Sequence, residues 1–255
     1  MSRFQYPKSD KYTNYDEIYT QCSGPRGLQF SVFMGDKMNI APGKKLLDVG
    51  CNRGYQTCFL AKEYNVFAIG IDPWDDRMQA NPMVEHLQEN ASKWGVENHV
   101  LGIKIGVPDT NISSNSFDYV YATTALEMVR VSQGVEGYIK AIKEIHRLLK
   151  PGGIFGLGEP MHLDTKIPED LEPYVSQGEY PWKECFRNLK ETVELVSSAG
   201  FTITEADYAP AARQWWMDFA NHDPFSKNDP EGDMKTLVVD DGRWVSFGYI
   251  ISTKD

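Results

Sequence analysis

Lys45-Leu-Leu-Asp-Val-Gly-Cys-Asn-Arg-Gly54, followed by Ile69-Gly-Ile-Asp72, decides the fold. Residues 45–50 read as a buried strand, Gly50 to Gly54 as a glycine turn, and 55–64 as a helix. The apolar run 66–71 suits a second strand buried on both faces. Asp72 stands at its end, placed to grip a ribose. Glycine spacing selects the nucleotide. A dinucleotide turn expects GxGxxG, but three residues separate Gly50 from Gly54, and Asp48 lies two positions before the first glycine. A carboxylate there suits an amine-bearing or cationic ligand and repels a pyrophosphate. The pattern excludes a dehydrogenase.

Outward from this unit, a helix is expected over 28–39, ahead of Pro42-Gly43. Pro82 opens a helix that runs to Trp94 and stops at Gly95. Strands follow at 100–105, 117–122 and 154–158. Apolar residues from Val135 to Leu149 keep helical spacing, which gives a helix over 134–149. A further helix runs from Phe186 to Gly200. Strands at 201–208 and 244–251 close the chain, the last one antiparallel. The fold class is therefore α/β: a Rossmann-like, seven-stranded, mostly parallel sheet with helices on both faces. One domain of 1–255 is expected, with a polar, tyrosine-rich helical cover (1–44) ending near the breaker 23–27. Two insertions follow, 160–182 and 210–240; the first lacks clear periodicity, and a loop of that length is usually functional.

The net charge is −10 over 255 residues, which argues against wholesale binding to nucleic acid. No apolar run reaches the roughly 18 residues of a membrane span. The N-terminus lacks the apolar core of a secretory signal. The four cysteines show no CxxC or zinc spacing, so no metal is expected and free thiols in a reducing cytoplasm are the plain reading.

Gly50-Cys-Asn-Arg-Gly54, Asp72, Ser116-Phe-Asp118 and Leu148-Leu-Lys-Pro-Gly-Gly-Ile154, in this order, resemble the class I S-adenosylmethionine-dependent methyltransferases over about 45–160. The resemblance is broadest to the ubiquinone/menaquinone, sterol and glycine methyltransferase branch. It implies S-adenosylmethionine as cofactor, S-adenosylhomocysteine as product and a small-molecule acceptor. Gly50 and Gly54 would let backbone approach the methionine part. Asp48 would orient its amine, Asp72 would bind both ribose hydroxyls, and Trp74 would cover the adenine. Gly106 and Val107 would line the adenine edge, and Thr123 would sit near the sulfonium. Asn52 replaces the middle glycine of the motif; asparagine tolerates positive φ, and its amide could bond the cofactor. Relatives often carry an acid after the third strand for the adenine amine, and Gly106 stands there instead.

Candidates for acceptor chemistry lie at the carboxyl edge of the sheet. Glu159 and His162 follow strand five, and Glu127 follows strand four. Each has a plainer reading, as a loop-capping acid, a solvated histidine and a helix-turn acid. Tyr15, Tyr19, Trp182, Arg213 and Trp216 are candidate acceptor contacts. Aromatic walls can enclose a flat apolar body or a cation. Trp215 and Phe219, at i and i+4, can equally be the buried stripe of a short helix, and Arg213 a surface arginine. The alternatives to a small-molecule methyltransferase are a noncatalytic cofactor-binding subunit and a protein-modifying enzyme.

Overall fold

The computed structural model describes residues 5–22, 24–25, 27–76, 80–229 and 232–255. Parts of three sequence readings, the first four residues, Ser23 and Arg26 of the breaker, and 230–231 of the second insertion, lie outside the described residues. The N-terminal cover comprises α1 (Pro7–Asp10), α2 (Tyr15–Gln21) and α3 (Gly27–Lys37). The nucleotide unit follows as β1 (Lys45–Val49), α4 (Tyr55–Tyr64) and β2 (Phe67–Ile71). Then come α5 (Met83–Trp94), β3 (Val100–Ile103), β4 (Phe117–Thr123), α6 (Leu126–Leu148) and β5 (Leu149–His162). Gly95 caps α5 in the left-handed conformation at φ 67°, where a side chain would be strained.

The second half holds α7 (Glu172–Val175), α8 (Trp182–Cys185), β6 (Arg187–Asn188), α9 (Leu189–Ser198) and β7 (Thr202–Tyr208). It ends with α10 (Ala212–His222), α11 (Asp233–Asp240) and β8 (Val245–Thr253). The sheet order is β3-β2-β1-β4-β5-β8-β7, so seven strands form the main path. Pairings from β3 to β5 are parallel, and β8 runs antiparallel to both β5 and β7. An eighth strand, the two-residue β6, pairs with β5 at Met161 and His162. It is too short for any periodicity to announce it. Strand order reverses between β2 and β4 around β1. In open α/β sheets the crevice at such a point takes the ligand.

Alternation along the strands feeds two cores. Leu46 and Tyr121 face one side with α3, α4 and α5, while Leu47 and Val120 face the other with α6 and α9. Two elements exceed the sequence expectation. β5 extends through Pro160 to His162 because β8 pairs with it from Ile154↔Thr253 to His162↔Val245. α6 begins at Leu126 and is broken at Gly134, with φ 71° and ψ −176°. The segment 210–240 is mainly helical (α10 and α11), joined by a short 3-10 turn.

Candidate active site

The loops after β1, β2 and β4, the stretch after β3 and the first turns of α6 enclose a cavity of about 160 Å³ at the switch point. Its walls include Gly50 and Asn52, Asp72 and Trp74, Gly106 and Val107, and Thr124 with Ala125. The glycine turn is shaped by steric need. Gly50 has φ 75°, and a Cβ there would come within 2.4 Å of Ala125. Asn52 takes the left-handed conformation at φ 49°, the tolerance expected of asparagine. Gly54 does different work from the expected close approach to a ligand. Its missing Cβ makes room for Leu87, which would otherwise lie 2.3 Å away, so it seats α4 against α5.

Asp72 is the polar centre of the cavity. Its Oδ2 accepts from the Asn52 backbone N–H at 2.8 Å, and its Oδ1 accepts from the Trp74 N–H at 2.9 Å. Burial raises its pKa, while these two hydrogen bonds pull it down. Each oxygen keeps lone-pair capacity on the cavity side. Trp74 leaves 51% of its surface exposed on the rim, a flat apolar face with no core to fill. Asp48 lies behind the turn and outside the cavity lining, accepting from Thr57 Oγ1 at 2.6 Å. Burial pushes its pKa up to about 7, against the Thr57 hydrogen bond and with help from the Asp72 charge. Thr123 also turns away from the cavity, its hydroxyl 3.2 Å from that of Tyr121. Its neighbour Thr124, at φ 49°, lines the cavity instead.

Behind the α6 wall lies a second group of charges. Glu127, Arg130 and Glu159 are all buried, with Tyr138 fully enclosed beside them. Tyr138 donates to Glu159 Oε2 at 3.0 Å, and Arg130 Nη1 lies 3.7 Å from the same oxygen. Arg130 also donates to the Cys185 carbonyl and sits over the Tyr138 ring at 5.1 Å. Burial and the Glu159 charge drive the Glu127 pKa well above the carboxylate range. Burial raises Glu159 too, but Arg130 and the Tyr138 hydrogen bond oppose it. Two acids against one cation therefore hold both carboxyls above the ordinary carboxylate range, Glu127 the further. The sequence reading named both acids but missed Arg130 and Tyr138. Arg130 lies three residues after Glu127, a same-face helical spacing that could have signalled it.

The remaining candidates fall elsewhere. His162 stacks on Trp244 with ring centroids 4.8 Å apart, and its Nδ1 lies 2.7 Å from the Leu163 carbonyl. Trp216 is buried, donates to the Ser246 carbonyl at 3.1 Å and packs against Trp182 at 5.5 Å. Tyr15 and Tyr19 meet the His222 ring of α10 at 5.7 and 5.8 Å. Arg213 pairs on the surface with Asp241 at 2.5 Å. Tyr15 and Tyr19 thus pack between the cover and α10, while Trp182 and Trp216 pack α8 against α10. Among the described residues no group of three or more metal-ligating side chains exists. No described helix is long and apolar enough to cross a membrane.

Fold and cavity together define a Rossmann-like, nucleotide-binding α/β protein with an acid-anchored glycine turn. Residues 47–157 match the family described as a methyltransferase domain. The sterol 24-C-methyltransferase of Yarrowia lipolytica is 32% identical over 199 residues, covering 72% of this chain and 49% of that protein. The sterol 24-C-methyltransferase of Gibberella zeae is 27% identical over 228 residues, covering 86% of this chain and 55% of its own. The chain spans about half the length of the curated relatives it matches. Among solved structures, a Haemonchus contortus phosphoethanolamine N-methyltransferase in complex with S-adenosyl-L-methionine superposes with a TM-score of 0.73 at 20% identity, covering 99% of this chain and 58% of that one. The cyclase SpnF does so with 0.69 at 18% identity, covering 89% and 81%. Over these matched stretches the chain is similar to S-adenosylmethionine-dependent methyltransferases of small molecules.

Proposed function

We propose that this chain transfers a methyl group from S-adenosylmethionine to a small-molecule acceptor. The observation that carries the reading is Asp72, a buried carboxylate aimed by two backbone N–H groups at the mouth of the switch-point cavity. Its remaining lone pairs suit two ribose hydroxyls, and its charge repels a 2′-phosphate. Trp74 offers a face for the base, and the backbone of Gly106 and Val107 offers an edge. Gly50 and the Asn52 amide serve the methionine end, where Asp48 acts on the amine through water. When bound, the cofactor supplies an activated methyl on a sulfonium. The protein aligns the acceptor for in-line displacement and keeps water out.

Glu159 and Glu127 share the Arg130 cation beside the cavity wall, and we assign them to proton handling for the acceptor. His162, Trp182 and Trp216 fix the seam between the core (45–160) and the insertions 160–182 and 210–240. These insertions act with residues 1–44 as the acceptor cover of a single domain. Tyr15 and Tyr19 lie where α2 meets α10, so the acceptor enters by parting an aromatic seam, which favours one with an apolar body. Four unpaired cysteines suit a reducing cytoplasm. The test is S-adenosylhomocysteine release from S-adenosylmethionine with sterols, prenyl diphosphates and amines as separate acceptor panels. Release that depends on one panel supports the reading. Tight cofactor binding with no release from any panel would favour a noncatalytic binding protein, since one fold hosts many functions.

A further inference from the structure

Five polar side chains besides the Trp74 indole line the cavity: Asn52, Asp72, Thr124, Ser132 and Gln133. Three of them are engaged. Asp72 accepts from the backbone, Thr124 donates to the Thr123 carbonyl at 2.8 Å, and Ser132 donates to the Met128 carbonyl at 2.8 Å. The side-chain amides of Asn52 and Gln133 make no hydrogen bond to the described residues. Asn52 belongs to the glycine turn. Gln133 stands on α6, immediately before the break at Gly134.

Two glycines give Gln133 its place. Gly134, at φ 71°, ends the first helical stretch of α6. Gly137 leaves open the space beneath the glutamine, where a Cβ would come within 2.3 Å of Gln133 Cβ and 3.1 Å of its Oε1. The stretch after β3, where an acid would receive a base amine, offers Gly106 and Val107 and no polar side chain to the cavity lining. An adenine edge presents an exocyclic N–H donor beside a ring-nitrogen acceptor. A primary amide matches that pair with its own oxygen and NH₂.

We propose that Gln133 reads the adenine edge of the bound cofactor, supplying from α6 the hydrogen bonds that no side chain after β3 provides. The assignment rests on the cofactor reading above and adds the residue that selects the base. The test titrates S-adenosylhomocysteine, and its analogue with hydrogen in place of the adenine amine, into the wild type, Gln133→Ala and Gln133→Glu. The wild type should prefer the natural ligand by roughly three- to ten-fold, the range of one net hydrogen bond. Gln133→Ala should bring that ratio to about one by weakening the natural ligand more than the analogue, which loses only the bond to its ring nitrogen. Gln133→Glu should keep the preference, because its carboxylate still accepts from the amine. A full preference retained in Gln133→Ala, or equal weakening of both ligands, would overturn the assignment. Failure of the wild type to bind either ligand would instead remove the cofactor reading on which it stands.

Discussion

Asp72 and Glu159 are both buried acids near the carboxyl ends of strands of one sheet, β2 and β5, yet they are prepared for opposite tasks. Asp72 is held by backbone N–H groups alone, its other lone pairs turned to a cavity. Glu159 is held mainly by side chains, Arg130 and Tyr138, with the Glu127 backbone beside them, and does not line the Asp72 cavity. Backbone donors fix an acid without a countercharge, and so leave it open to a ligand. A buried arginine satisfies the charge from within and ties the acid to the structure. Through the Cys185 carbonyl, Arg130 extends that tie to α8.

The largest effect should come from Arg130→Met. It leaves the buried Glu159 without its cation, and breaking a buried pair in this way costs about 3–5 kcal/mol. Urea unfolding would measure it, and adding Glu159→Gln to the same chain should recover part of the loss. A small, uncorrected change would mean the cluster is hydrated and not an ion pair. Next, Asp72→Ala should weaken S-adenosylhomocysteine binding by about 1.5–3 kcal/mol, the range for hydrogen bonds to a charged group. Calorimetric affinities equal to wild type would end the contrast between the two acids.

Glu159→Gln preserves shape and the Tyr138 contact. Cofactor affinity should stay near wild type while turnover falls; unchanged turnover would make the cluster purely structural. Asp48 sharpens the comparison through pH. Its folded pKa rises from 3.8 to about 7, so the native state holds the extra proton. The stability it contributes is full below about pH 4 and is lost as pH climbs through 7. Asp48→Asn should flatten that slope in urea titrations between pH 4 and 8, and an unaltered slope would place the charge elsewhere. Smallest of all, Arg213→Ala should leave both thermal midpoint and turnover unchanged, because its pair with Asp241 is exposed and such pairs are screened.

The cofactor half was the more legible in the sequence, again for a physical reason. Strand, turn and helix signals there are local, so Tyr55–Tyr64 and the Gly95 cap fall where the pattern puts them. The first turns of α6 escaped because Glu127 and Arg130 occupy its buried face, and apolar periodicity cannot register a charged core position. Extension of β5 to His162 depends on β8, a partner remote in sequence. Thr123 and Thr124 were separable only by a left-handed residue at the strand end. Trp216 and Tyr19 carry the same aromatic signal whether they line a pocket or close a seam, and only their packing decides between the two.

The most direct test of the central claim is a calorimetric titration of the wild-type protein with S-adenosylmethionine and S-adenosylhomocysteine, with NAD as control. The cavity built on Asp72 and the Gly50–Gly54 turn predicts micromolar binding of both sulfur ligands and no response to NAD. Binding of NAD, or of none of the three, would contradict it.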